Sequence, residues 1–169
     1  MIVNDQQDIF NGWLRQCKAL IFKIVRAYAT SSMDQDDLFQ EIAIQVWRSI
    51  PRFRNESAVT TWIYRIALNT AIKWTRNEQK YYDSETLENV QHVLEEMRPQ
   101  GDEKLAWLYA EIHKLNEIDR SLLLLLLDNF SYKEMADMLG ITESNVGVKL
   151  NRIKKQLIEK SKSFNHNGI

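Results

Sequence analysis

Arg54, Asn55, Glu56 and Ser57 form a short polar run without glycine, set between two stretches of helical periodicity. Beyond it, Trp62, Tyr64, Arg65, Asn69, Lys73 and Arg76 put aromatics, an amide and bases on one further segment. Arginine and lysine meet phosphates, while aromatic faces and amides receive unstacked bases, so this set could hold single-stranded nucleic acid. An ordinary helical hairpin, with aromatics in the core and arginines in solvent, uses the same residue types. A second group, Asp36, Asp37, Gln40 and Glu41, lies at the N-terminal end of a helical stretch. There carboxylates favour the helix dipole and leave a polar face open to a partner. A third group, Ser144, Asn145, Val148, Lys149, Asn151, Arg152 and Lys155, falls on the outward side of a helix whose inward side is Val146, Leu150, Ile153 and Leu157.

These groups need helices to carry them. Ile9, Phe10, Trp13, Leu14, Cys17, Leu20, Ile21, Ile24, Val25 and Tyr28 draw one amphipathic helix from about Asn4 to Ala29, with Cys17 as a small buried hydrophobe. Thr30 to Met33 reads as a loop, and Asp34 is the expected cap of a second helix. That helix carries Leu38, Phe39, Ile42, Ala43, Val46, Trp47 and Ile50 inward and stops at Pro51. Ser57 is the expected N-cap of a third, with Trp62, Ile63, Ile66, Ala67, Thr70, Ala71 and Trp74 on its apolar face and Tyr64 on the other.

Residues 77–102 change character, with seven acids against two bases and an ending in Pro99, Gln100, Gly101 and Asp102. They are expected to form an acidic interdomain linker, in which Leu87, Val90, Leu94 and Met97 could line one short helix. Near Glu103 a second helical domain begins, marked by Leu105, Leu108, Tyr109, Ile112 and Leu115, then by Leu122 to Leu127, expected to be buried almost all round. Ser131 caps a helix ending at Leu139, Gly140 supplies a left-handed C-cap, Ile141 enters the core and Thr142 caps the next helix. Helix, glycine turn and helix is the helix-turn-helix signature, whose second helix enters a DNA major groove. Between Thr142 and Lys162 six bases face two acids, a basic footprint in a chain of net charge −1.

The expected fold class is therefore all-α: two small helical domains, 1–76 and 103–169, joined by the acidic linker 77–102, the C-terminal one containing a helix-turn-helix. Five glycines and two prolines in 169 residues do not suit a turn-rich β protein. Cys17 is the only cysteine, so an internal disulfide is excluded and a reducing cytoplasm fits. No signal peptide is visible, and the apolar run Leu122 to Leu127 is far too short to insert in a membrane. His92, His113 and His166 are scattered, with no H-x-x-x-H pair, nucleophile elbow or glycine-rich phosphate loop, so neither an enzyme nor a metal or other cofactor is expected.

The order DDL-x-QE, F-R-x-x-S and TWIYRIALN-x-A over residues 36–76 resembles region 2 of the extracytoplasmic-function sigma factors, group IV of the sigma-70 family. FSYKEMADMLGITESNVGVKLNRIKKQL is similar to their region 4.2 and follows at the family's separation. The resemblance implies a bacterial alternative sigma factor that binds core RNA polymerase and promoter DNA, with an anti-sigma factor as a further partner. It implies polymerase contact through Asp37, Leu38, Gln40 and Glu41, and capture and melting of the minus-ten element by Arg54, Asn55, Glu56, Ser57, Trp62 and Asn69, beside the bases Arg65, Lys73 and Arg76. The outward residues from Ser144 to Lys155 would read the minus-thirty-five element. Gly147 and Val148 depart from the basic and small polar pair of many members, so the recognised sequence does not transfer. A helix-turn-helix regulator without sigma activity would explain residues 103–169 but not the TWIYRIALN tract.

Overall fold

Residue spacing that buries one stripe of each helix leaves the first domain a single solution, three helices closing on a shared core. The computed structural model describes residues 3–77 and 101–167; the proposed linker helix and His92 lie outside them. The chain divides into two units, 1–102 and 103–169, both all-α among the described residues.

In the first unit, α1 (Val3–Tyr28), α2 (Ser32–Ser49) and α3 (Val59–Arg76) each pack on the other two. Their core holds Ile21, Ile24 and Val25 of α1, Leu38, Phe39, Ile42 and Val46 of α2, and Ile63, Ala67, Leu68 and Ala71 of α3. Cys17 is buried here, and burial pushes its thiol up to about 11, which keeps it protonated and unreactive.

Local capping corrects three expectations. Helix α2 begins three residues earlier than a cap at Asp34 would give, because Ser31 is the N-cap and its Oγ accepts the Asp34 N–H at 3.1 Å. Pro51 lies inside a 3₁₀ turn, Ile50–Arg52, that follows α2 directly. Ala58, not Ser57, is the N-cap of α3, and no side chain caps it. Tyr64 is fully buried rather than on the polar face, since α3 packs against two helices and its inward surface is wider than one stripe.

The second unit contains α4 (Glu103–His113), α5 (Glu117–Leu127), α6 (Tyr132–Leu139) and α7 (Glu143–Asn167). Leu122 to Leu125 of α5 are buried among Ile112, Met135, Val146, Leu150 and Ile153, whereas Leu127 is 51% exposed where α5 ends. Ile141 and Leu157 are half-buried at the margin of this core. The start of α6 and its turn into α7 follow local chemistry. Ser131 and Glu134 form a reciprocal capping box, Gly140 takes φ +67°, and Thr142 Oγ1 accepts the Asn145 N–H at 3.1 Å.

Two longer-range ties fix α7 on α4. Trp107 and Phe164 stack with ring centroids 5.3 Å apart, and the buried Glu111 meets Lys160 at 3.0 Å and Lys114 at 2.9 Å. The Lys114 hydrogen bond, with help from Lys160, holds the Glu111 carboxyl below its ordinary 4.5 against the opposing effect of burial. A depressed folded-state pKa contributes stability that is present above the unfolded value and lost as pH falls through the folded one. Thermal melts between roughly pH 3 and 6 should therefore show an acid limb, and Glu111→Gln should flatten it while lowering the neutral-pH melting temperature. An unchanged acid limb in Glu111→Gln would remove this ion pair from the account.

Candidate nucleic-acid interface

The loop between α2 and α3 starts from an anchored aromatic. Phe53 lies edge-on to Trp13 at 5.1 Å and tilted against Trp62 at 5.4 Å. Trp62 is half-buried, and its indole N–H donates to Ser49 Oγ at 3.2 Å, while Ser49 Oγ donates to the Val46 carbonyl at 2.7 Å. The ring placed by sequence among base-capturing residues thus has its polar edge occupied inside the protein. Trp62 acts mainly as support for the loop.

Between Phe53 and Ala58 the chain is held at its ends only, by Phe53 N–H to the Ile50 carbonyl at 3.2 Å and Trp62 N–H to the Ala58 carbonyl at 3.0 Å. Arg54, Asn55, Glu56 and Ser57 are all exposed, and among the described residues their side chains have no hydrogen-bond partner. Asn55 adopts φ +58°, a left-handed conformation that asparagine tolerates better than most residues and that turns the loop outward. Arg65, Asn69, Lys73 and Arg76, at steps of four, four and three, are all exposed along one side of α3 leading away from this loop.

On α2, Asp37, Gln40 and Glu41 are half-exposed, and Glu41 accepts a bond from Gln45 Nε2 at 3.0 Å. Burial, then the neighbouring charges of Asp34 and Asp36, raises the Asp37 carboxyl above its ordinary 3.8. Leu38 is fully buried. It cannot also meet a partner by its side chain, so it drops from the contact set and serves the core beneath it.

In the second unit Ser144, Asn145, Val148, Asn151, Arg152 and Lys155 are exposed on α7, and Lys149 is half-exposed. Two of them are not free. Arg152 Nη2 lies 2.8 Å from Asp119 Oδ2, and Lys149 Nζ lies 3.9 Å from Asp119 Oδ1, although Asp119 itself is buried at the start of α5. Sequence reasoning missed Asp119, because it looks like one more first-turn acid following the cap Asn116.

Gly147 is half-buried, and a Cβ there would meet the Tyr132 ring of α6 at 3.6 Å, an ordinary van der Waals distance. A side chain there would thus point toward a neighbouring helix, with room to be accommodated. Gly147→Ala should raise stability by about 1 kcal/mol in a thermal or urea melt, with promoter binding unchanged. A loss of binding would instead mean that the α7 backbone at Gly147 approaches the DNA closely.

The family models place these two units. Sigma-70 region 2 matches residues 13–81, and Sigma-70, region 4 matches residues 105–157. The chain belongs to the sigma-70 family, as an extracytoplasmic-function sigma factor. It is 27% identical over 158 residues to the RNA polymerase sigma factor YlaC of Bacillus subtilis, covering 89% of this chain and 88% of that protein. To the ECF RNA polymerase sigma-E factor of Escherichia coli it is 26% identical, covering 91% of this chain and 87% of the relative. The fold is also that of the sigma factor RpoE from Bartonella quintana, solved with the anti-sigma factor NepR, at a TM-score of 0.69 and 17% identity over 90% and 96% of the two chains. CnrH, solved with the cytosolic domain of CnrY, shares it at a TM-score of 0.65 and 18% identity, over 93% and 90%. This sigma factor is accordingly an alternative transcription-initiation subunit for RNA polymerase. Among the described residues no helix is long and apolar enough to cross a membrane.

Proposed function

We propose that this sigma factor divides initiation between its two ends, residues 1–76 docking on core polymerase and opening the minus-ten element, 103–169 reading the minus-thirty-five element, and 77–102 linking them. The observation that carries this is the loop Arg54–Ser57, whose polar side chains are exposed, without partners among the described residues, and anchored at both ends. Such a loop has its hydrogen bonds available for an extruded base and loses little further entropy on binding one. Arg65, Asn69, Lys73 and Arg76 continue the track for the strand's phosphates, and Asp37, Gln40 and Glu41 offer a polar, acidic face to the polymerase. Ser144, Asn145, Val148, Asn151 and Lys155, with the free edges of Lys149 and Arg152, face duplex DNA.

The protein is proposed to work in the cytoplasm, as a DNA- and polymerase-binding subunit without catalysis of its own. An anti-sigma factor is its expected antagonist, since a structural neighbour, RpoE of Bartonella quintana, was solved with one. Purified protein added to core polymerase should give promoter-dependent transcripts, whereas DNA binding with no transcript above core polymerase alone would leave only a helix-turn-helix regulator.

A further inference from the structure

Asp119 joins the first turn of α5 to the face of α7 that is read here as the DNA contact, and its carboxylate is 7% exposed. A buried carboxylate is costly unless it is paired and hydrogen-bonded. Oδ2 accepts Arg152 Nη2 at 2.8 Å and Asn116 Nδ2 at 3.1 Å, while the Asp119 N–H donates back to Asn116 Oδ1 at 2.9 Å. Oδ1 has no hydrogen-bond partner among the described residues, and Lys149 Nζ lies 3.9 Å from it. Arg152 is exposed, so one guanidinium nitrogen, Nη2, is held on Asp119 while its other N–H donors are left for a partner.

We propose that Asp119 is a positioning residue for promoter recognition, holding Arg152 and Lys149 in one orientation and cancelling part of their charge, so that α7 discriminates by geometry more than by net attraction. The proposal rests on the reading of α7 as the minus-thirty-five contact. A planar guanidinium held at Nη2 by a buried carboxylate has fewer orientations open to it and presents its remaining donors as a fork, which suits one arrangement of base edges or phosphates. Free cations attract any duplex. Each further phosphate neutralised steepens the dependence of log K on log salt by about 0.9. One anion set between two cations lowers the sequence-independent share of binding by about that amount, roughly 3.5-fold between 50 and 200 mM salt.

The test compares reconstituted holoenzymes binding a promoter fragment that the parent transcribes and the same fragment with its minus-thirty-five element scrambled, across a salt series. Asp119→Asn keeps the shape and removes the anion. It should bind the scrambled fragment more tightly at low salt, with a slope steeper by about one, and select less well between the two fragments. Arg152→Lys keeps the charge but loses the planar fork, so selectivity should fall with the slope unchanged, a pattern that simple destabilisation of a folded unit does not produce. If Asp119→Asn does not fold, Arg152→Lys decides alone. Parental selectivity in the folded variants overturns the proposal. The combined Asn145→Ala and Lys155→Ala variant, at residues that do not touch Asp119, separates the two failures. If it weakens selection while Asp119→Asn and Arg152→Lys do not, only the positioning role is wrong. If it too selects like the parent, the reading of α7 has failed, and the proposal with it.

Discussion

Replacing Arg54 and Asn55 by alanine is expected to slow open-complex formation on duplex promoter by roughly 10- to 100-fold while leaving a promoter already unpaired at the minus-ten element nearly unaffected. Extruding a base costs a few kcal/mol of stacking and pairing, and the loop can return it only through hydrogen bonds that its side chains do not already make. Arg54 and Asn55 meet that condition, being exposed and without partners among the described residues. Their loss should spare the fold, because the loop is anchored by Phe53 between Trp13 and Trp62 and by the bonds at its two ends. Asn55→Gly provides a useful contrast, since it keeps the left-handed backbone at φ +58° and removes only the amide. Stopped-flow or permanganate footprinting on both templates reads the difference. Equal defects on the two templates would mean that the loop supports polymerase binding or folding, with no separate part in melting.

The same loop shows what could be read from residue order and what could not. Helical periodicity marks α1 almost to its ends, because a face buried at every third or fourth position leaves its trace over seven turns. The start of α6 and its turn into α7 are equally plain, since Ser131, Gly140 and Thr142 act within three or four residues of their targets. The side-chain ties that matter for the site span distances that no local pattern marks. Trp62 reaches back 13 residues to Ser49, and Arg152 reaches 33 residues to Asp119. Arg152 looks outward when only its own helix is considered, and the apolar face that holds Trp62 gives no sign of the bond to Ser49. Ser57 misled for the opposite reason: serine before an apolar run is a good cap, but here Ala58 takes the extended conformation at the helix start, and Ser57 is left in the loop. Leu38 carried two roles in the sequence reading, and complete burial leaves it only one.

Charge reversal on α2 should have the other large effect. Asp37→Lys or Glu41→Lys is expected to weaken binding to core polymerase by roughly 10- to 100-fold, because a cation placed where a partner's surface receives an anion makes a repulsive contact and leaves charges unpaired. The fold gives no reason for Asp37 to carry its charge. Burial and the adjacent Asp34 and Asp36 all raise its pKa, so its charge is less favourable in the folded chain than in the unfolded one, and removing it should leave the melting temperature level or higher. Among the described residues Glu41 makes one hydrogen bond, accepted from the uncharged Gln45 of its own helix, and losing it should cost little. A side chain that the fold does not need, on a surface next to the buried stripe of Leu38, Phe39 and Ile42, is what a docking face requires. Fluorescence titration of labelled protein with core polymerase, paired with a thermal melt of each variant, separates affinity from folding. If both variants fold and bind core polymerase like the parent, the docking face lies elsewhere on the first unit, and Asp37 and Glu41 are only solvated acids on α2.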